Sequence, residues 1–283
     1  MTTQELQKLI ILLRLDILEM IHLAQSGYPG DSLSALDMIA TLYFGETLMH
    51  QPVFFCDPAK PQWEDQDFFV LSKAHAAPAL YAVLAERGFF SKSELHHYRA
   101  SGSLLQGFPV LKIPGITAQT GVLGHGLSVG IGLALSLKLD RKPNRVYVLL
   151  GDEEFQQGEI WEGMLAASHY QLDNLCVIVD CNGFQADGFV REIVNVEPLQ
   201  DKCEAFGWKV IRVLDGHNIE EFLFAVEKAW TFQRRPTVII AHTVKGKGIA
   251  FIERKIAYHS LPLSRPEIQA ARKELERQLD NMY

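Results

Sequence analysis

The chain has 283 residues, 48% hydrophobic and 22% charged, which is enough for one large globular domain with a full core. A net charge of −7 with no basic stripe argues against a nucleic-acid binder. The apolar start, Leu9 to Leu13, is flanked by Lys8, Arg14, Asp16 and Glu19 and lacks a small-residue cleavage site, so neither a signal peptide nor a membrane span is expected.

Apolar positions at Leu6, Leu9, Ile10, Leu13, Ile17, Leu18 and Ile21 recur at helical spacing and predict a helix over 4–25. Ser26-Gly27-Tyr28-Pro29-Gly30 breaks it. Leu33 to Phe44 predicts a second helix, with Asp31 or Ser32 as N-cap. After a loop with Pro52, Pro58 and Pro61, Asp67 to Leu71 reads as a short buried strand. Ser72-Lys73-Ala74-His75 turns the chain into a helix over Ala76–Arg87, ended by Gly88. Ser91 to Tyr98 is a short helix with a Ser91/Glu94 capping-box pattern. Residues 101–124 hold five glycines and two prolines without a period, and a loop of that length is more often functional than idle. Gly121-Val-Leu-Gly-His-Gly126 then opens a small-residue helix, Leu127–Leu139, whose glycines permit close approach of a ligand or a neighbouring backbone.

The centre of the chain is a strand–helix–strand unit: Arg145 to Gly151, Glu159 to Tyr170, and Asn174 to Asn182. In a parallel unit, Asp152 and Asn182 fall on one edge of the sheet, where open α/β sheets bind ligands. A carboxylate and an amide carbonyl are hard donors. With a backbone carbonyl and phosphate oxygens they suit Mg²⁺. A helix over Pro198–Phe206, a strand over Trp208–Leu214, an Asn218-capped helix over Ile219–Phe232 and a strand over Thr237–Ala241 follow. Thr243 to Gly248 is a loop, and 266–281 a charged helix. The alternation predicts an α/β fold with a doubly wound, mostly parallel sheet flanked by helices. With no repeat or linker, 1–283 reads as a single domain with a helical tail at about 262–283. Cys56, Cys176, Cys181 and Cys203 show no C-x-x-C spacing and read as free thiols of a cytoplasmic protein.

Gly151-Asp152 to Asn182-Gly183 resembles the diphosphate-binding motif of thiamine-diphosphate enzymes, which starts Gly-Asp-Gly and ends about thirty residues later in Asn-Gly or Asn-Asn. Ser26 to Gly30, Leu71 to Tyr81, Leu105 to Pro109, Thr120 to Ser128, Trp161-Glu162, Leu172 to Leu175, Asp187-Gly188 and Lys245 to Gly248 resemble transketolase in transketolase order. The resemblance is to the N-terminal, diphosphate-binding half. It implies the thiamine-diphosphate-binding fold, with thiamine diphosphate and Mg²⁺ as cofactors. It also implies a heterotetramer with a C-terminal, pyrimidine-domain subunit that carries the activating glutamate. By resemblance, Asp152, Asn182 and the Phe184 backbone oxygen hold Mg²⁺. His75 and His259 are catalytic and contact the cofactor, and Gly121, Val122, Leu123 and Glu153 line it. Tyr28 stands where transketolase has a substrate-facing histidine. The implied reaction moves a two-carbon ketol unit from a ketose to an aldose, on sugar or sugar-phosphate substrates.

The sequence departs from the family at the site itself. Phe108 replaces a second substrate-facing histidine, and Ala74 and His125 replace a glycine and a glutamine. Glu153 replaces the second glycine of Gly-Asp-Gly. A carboxylate about 4 Å from another negative charge there costs about 4 kcal/mol at an effective dielectric of 20, so it must point away, find a cation or weaken binding. If that position needs positive φ, a non-glycine residue adds strain. Gln157 replaces a glutamate that pairs with the partner's catalytic glutamate. Two other readings follow: a carboligase or decarboxylase component using a 2-keto acid, motivated by Phe108, and a catalytically degenerate scaffold, motivated by Glu153 and Gln157. Lys73, Lys245 and Lys247 either add positive potential near an anion or are solvated.

Overall fold

A computed structural model describes residues 1–61 and 63–282. In chain order the elements are α1 (Thr3–Ala24), α2 (Pro29–Phe44), β1 (Phe68–Leu71), α3 (Ala77–Arg87), α4 (His125–Leu139), β2 (Val146–Gly151), α5 (Gly158–His169) and β3 (Leu175–Cys181). The chain continues with β4 (Phe184–Gln185), β5 (Gly188–Phe189), α6 (Val190–Ile193), α7 (Leu199–Ala205), β6 (Lys209–Val213), α8 (Ile219–Ala229), β7 (Thr237–His242) and α9 (Arg265–Asp280).

Continuous apolar runs such as Val146–Leu150 and Leu175–Val179 need burial on both faces, and the sheet supplies it. Five parallel strands lie in the order β1-β2-β3-β7-β6. Tyr147, Leu149, Ile178 and Ile239 join one core with Ile17 of α1, Leu36 of α2, Leu80 of α3 and Phe222 of α8. Val148, Leu150, Val177 and Ile240 join the other with Leu127 of α4, Met164 of α5 and Leu199 of α7. Fully burying each such side chain contributes roughly 1.5–3 kcal/mol, and the sheet they anchor fixes where its loops emerge. A separate two-stranded hairpin, β4–β5, follows β3 directly.

Helix ends follow local chemistry, with three corrections. Thr2 and Glu5 form a capping box on α1, and Asn218 accepts from the Glu220 and Glu221 amides at the start of α8. α2 starts at Pro29, earlier than the pattern predicts, with Tyr28 in the N-cap position. Asp31 therefore lies inside the first turn, and its carboxylate faces the interior instead of capping. Ser91 accepts from the Ser93 amide, and Lys92–His97 is a 3₁₀ helix rather than a capping-box α-helix. α4 starts two residues early because Gly124 takes the left-handed conformation. A Cβ at Gly126 would collide with Ser72, so glycine lets the start of α4 lie against the end of β1. Residues 101–124 carry no helix or strand. The C-terminal segment is no loose tail: Ile268, Ala271 and Leu275 of α9 are buried in the core shared with α1, while Tyr283, its expected end, lies outside the described residues. Among the described residues no helix is long and apolar enough to cross a membrane, and all four cysteines are free thiols.

Candidate active site

The carboxyl ends of the parallel strands deliver nearly every charged group of the site. β1 leads into Ser72, Lys73 and His75, and β2 into Asp152, Glu153 and Glu154. β3 brings Asp180 and Asn182, and β7 leads into Thr243 and Lys245. The first turn of α2 lays Asp31 and Ser34 against them. The Lys73 ammonium donates to Asp180 at 2.6 Å and to Asp31 at 3.3 Å. Lys245 donates to Asp31 as well. Asp180 also accepts from Ser34 at 2.6 Å and from the Thr243 hydroxyl. Both lysines are fully buried, which overturns a solvated role for either. Burial alone would raise the Asp31 pKa, but Lys245 and Lys73 outweigh it and hold the carboxyl well below its usual range. Burial works against the Lys73 charge in turn, yet Asp180 and Asp31 push its pKa up.

Asp152 and Asn182 do meet. Asp152 Oδ2 accepts from the Gly183 amide at 3.0 Å, next to Asn182, whose Oδ1 accepts from the Phe184 amide at 2.9 Å. The Asn182 amide donates to Ser34 at 3.3 Å, which links it to Asp180. Asp152 Oδ1 is buried without a hydrogen-bond partner. Burial, then the charges of Glu153 and Asp180, push the Asp152 carboxyl well above its ordinary pKa. Glu153 takes no left-handed φ, so the backbone strain considered for a non-glycine residue does not arise. It sits in a 3₁₀ turn, Asp152–Gln156, and its side chain folds back over Gly151, where an added Cβ would strike both carboxylate oxygens. Its Oε1 lies 3.9 Å from His75 Nε2, and its Oε2 has no hydrogen-bond partner.

Glu154, Asp31, Asp180, Ser34 and Thr243 are site residues that the sequence does not single out as such. Glu154 is fully buried and accepts from the Ser72 hydroxyl at 2.5 Å and from the Gly124 and Gly151 amides at 2.8 Å each. Burial, then Glu153, raise its pKa to about 7 against those three donors. The signal available for Asp180 is an ionisable residue at the end of an otherwise apolar strand, Leu175 to Val179.

Three rings close the other side of Asp31. His259 Nδ1 lies 2.9 Å from Asp31 Oδ2, and His75 Nε2 lies 3.5 Å from Oδ1. The two imidazole centroids are 5.7 Å apart, and Tyr28 stacks edge-on to each at 5.4 Å. His75, His259 and Tyr28, expected from three separate motifs, are thus neighbours in space. Val122 and Leu123 are exposed, and a Cβ at Gly121 would touch nothing within the chain. Gly121, Val122, Phe108 and His125 line a cavity of about 450 Å³, and Asp152, Asn182 and Arg191 border another of about 380 Å³. A larger cavity, about 620 Å³, is lined by Met1, Glu46, Leu48 and Phe224 and touches no predicted site residue. Gln157 is exposed just ahead of α5, and His125 pairs with Glu159 at 2.6 Å on the neighbouring surface.

The donor set fits a hard divalent cation. Asp152 and Asn182 line one cavity, Asp152 and the adjacent Glu153 each carry an oxygen without a hydrogen-bond partner, and Asn182 adds an amide carbonyl, with no soft ligand required. Residues 4–282 match the family model described as transketolase, thiamine diphosphate binding domain. The chain belongs to the transketolase family. It is 41% identical to a 6-deoxy-6-sulfo-D-fructose transketolase subunit of a Clostridium species, over 89% of each chain. It is 36% identical to an apulose-4-phosphate transketolase subunit of Phocaeicola vulgatus, over 92% of this chain and 90% of that one. Against human transketolase it is 39% identical over 95% of its own length but only 42% of the human chain. The Campylobacter jejuni transketolase structure superimposes on it with a TM-score of 0.89 at 29% identity, over 98% of this chain and 43% of that one. The fold is thus the α/β thiamine-diphosphate-binding fold of transketolases. The chain spans the length of relatives named as subunits and under half of the one-chain enzymes.

Proposed function

We propose that this chain is the N-terminal subunit of a two-chain transketolase that uses thiamine diphosphate and Mg²⁺ to pass a two-carbon ketol unit from a ketose to an aldose. The observation that carries the reading is the convergence of Asp152, Asn182, His75 and His259 at one sheet edge, in a chain that aligns nearly end to end with transketolase subunits. Asp152, Asn182 and the Phe184 carbonyl would hold the cation. Gly121, Val122 and Leu123 would wall the cofactor, with the partner subunit closing the other side. When bound, thiamine diphosphate supplies the nucleophilic carbon that adds to the donor carbonyl and the electron sink that lets the C–C bond break.

The chain's own part is orientation and proton handling. The Asp31 carboxylate, an acceptor, lies nearer His259 Nδ1 than the Lys245 ammonium does, 2.9 against 3.2 Å, and favours a proton on Nδ1. The neutral ring then presents Nε2 as an acceptor for a substrate hydroxyl proton. His75 stands beside it, and Tyr28 adds a phenol that can donate or accept. The buried Lys73–Asp180 and Lys245–Asp31 pairs fix these groups before substrate arrives. Relatives named for sulfofructose and apulose phosphate suggest ketoses with an anionic terminus as donors.

The test is reconstitution with a pyrimidine-domain subunit, cofactor and Mg²⁺, followed by donor screening. Ketoses should turn over. Turnover of 2-keto acids alone would replace this reading by the carboligase one, which the apolar Phe108 in the cavity favours. Calorimetry that detects no cofactor binding to the two-chain complex would leave the scaffold. Ketol transfer by the purified chain alone would refute the split of the enzyme over two chains.

A further inference from the structure

Glu153 and Asp152 are neighbours in one turn, 9% and 3% exposed, and each presents a carboxylate oxygen with no partner. A buried, ionised oxygen without a donor is costly and seldom left so. The two ammoniums of the cluster are already engaged: Lys73 by Asp180 and Asp31, and Lys245 by Asp31. Asp31, Asp152, Glu153, Glu154 and Asp180 are five buried carboxyls against the two ammoniums of Lys73 and Lys245, so the cluster is short of positive charge. The Glu153 side chain is also held in place. It lies over Gly151, where any Cβ would expel it, with Oε1 turned to His75 and Oε2 bare.

We propose that Glu153 is itself a cation ligand, so that a divalent ion binds Asp152, Glu153 and Asn182 in this chain without any diphosphate. The inference rests on the cation assignment above and deepens it. A site whose protein donors are one carboxylate and neutral oxygens needs the charge of a diphosphate to hold Mg²⁺ well. A second carboxylate supplies that charge from within the chain, and binding of the ion no longer waits for the cofactor. The same charge opposes the incoming diphosphate. Cation affinity and cofactor affinity therefore move in opposite directions when Glu153 is changed.

The probe is Mn²⁺, titrated by electron paramagnetic resonance into the full chain with no thiamine diphosphate present. Wild type should bind one ion, and Glu153→Gln, which keeps the shape, should weaken it about tenfold or more. Glu153→Gly should bind Mn²⁺ only once thiamine diphosphate or inorganic pyrophosphate is added, and calorimetry should show it binding thiamine diphosphate with Mg²⁺ more tightly than wild type. Thermal melts of the ion-free variants identify any that fail to fold, and the two substitutions serve as independent checks. No Mn²⁺ binding by wild type without diphosphate, or unchanged affinity in both variants, overturns the proposal. If Mg²⁺-dependent cofactor binding to the two-chain complex persists in that case, only this inference falls. If Mn²⁺ binds under neither condition, the cation assignment falls with it.

Discussion

Two carboxylate pairs lie side by side at the strand ends, both buried and oppositely provided for. Asp31 and Asp180 receive two ammoniums, two hydroxyls and an imidazole contact at 2.9 Å. Asp152 accepts from one amide and, at 3.9 Å, from the Cys181 thiol, Glu153 lies only near His75, and each keeps a bare oxygen. The first pair completes itself within the chain and acts as framework. The second is complete only with something from outside. Burial does not distinguish the two pairs, whereas the donors around each one do.

The sharpest way to break the contrast is to neutralise the framework. Asp31→Asn leaves Lys73 and Lys245 buried with too little opposite charge and should cost about 3–5 kcal/mol, read by urea unfolding. Asp152→Ala should move the other way: the ion-free chain should lose little stability, because a poorly partnered buried carboxyl is removed, while Mg²⁺-dependent cofactor binding disappears in calorimetry. Unchanged cofactor affinity would refute the ligand assignment. Mg²⁺ alone, at about 100 times its dissociation constant, should stabilise wild type by about 2.7 kcal/mol and leave Asp152→Ala unmoved.

Glu154 gives a smaller, pH-dependent effect. Its folded pKa, about 7, lies above its ordinary 4.5, so the native state holds this proton more tightly than the unfolded chain. Its contribution to stability is therefore present below pH 4.5 and lost as pH rises through 7. The melting temperature should fall between about pH 5 and pH 8, and Glu154→Gln should flatten that slope. An equal slope in the variant would mean that other groups carry it. The smallest effect belongs to Gln157→Glu. A change at this exposed position ahead of α5 should alter stability by less than about 0.5 kcal/mol and show only in the activity of the two-chain complex.

The sheet was legible because its strands are buried on both faces and spell apolar runs, as in Leu175 to Val179. Asp152 and Asn182 were legible because parallel strands bring their ends to one edge. The pairs around Asp31 and Asp180 were not, because the partners come from four separate segments and nothing local in Ser72-Lys73-Ala74 marks that lysine as buried. Asp31 misled as a cap, since its first-turn position serves equally to aim a carboxylate inward. At Glu153 the sequence left three outcomes open: turning away, meeting a cation or opposing the cofactor. The structure places the side chain over Gly151 and beside His75.

Glu154 has one more consequence, a mechanical one. A single side chain fastens Ser72 at the end of β1, Gly151 at the end of β2 and Gly124 at the start of α4. The three segments cannot open one at a time without stranding that carboxylate. The amide protons of Gly124 and Gly151 should exchange with solvent at matched rates, as one cooperative unit. Val122 and Leu123, exposed just ahead of Gly124, are thereby coupled to the turn that carries Asp152. Pressure on that surface from a docking subunit would be felt by both carboxylates as a single displacement.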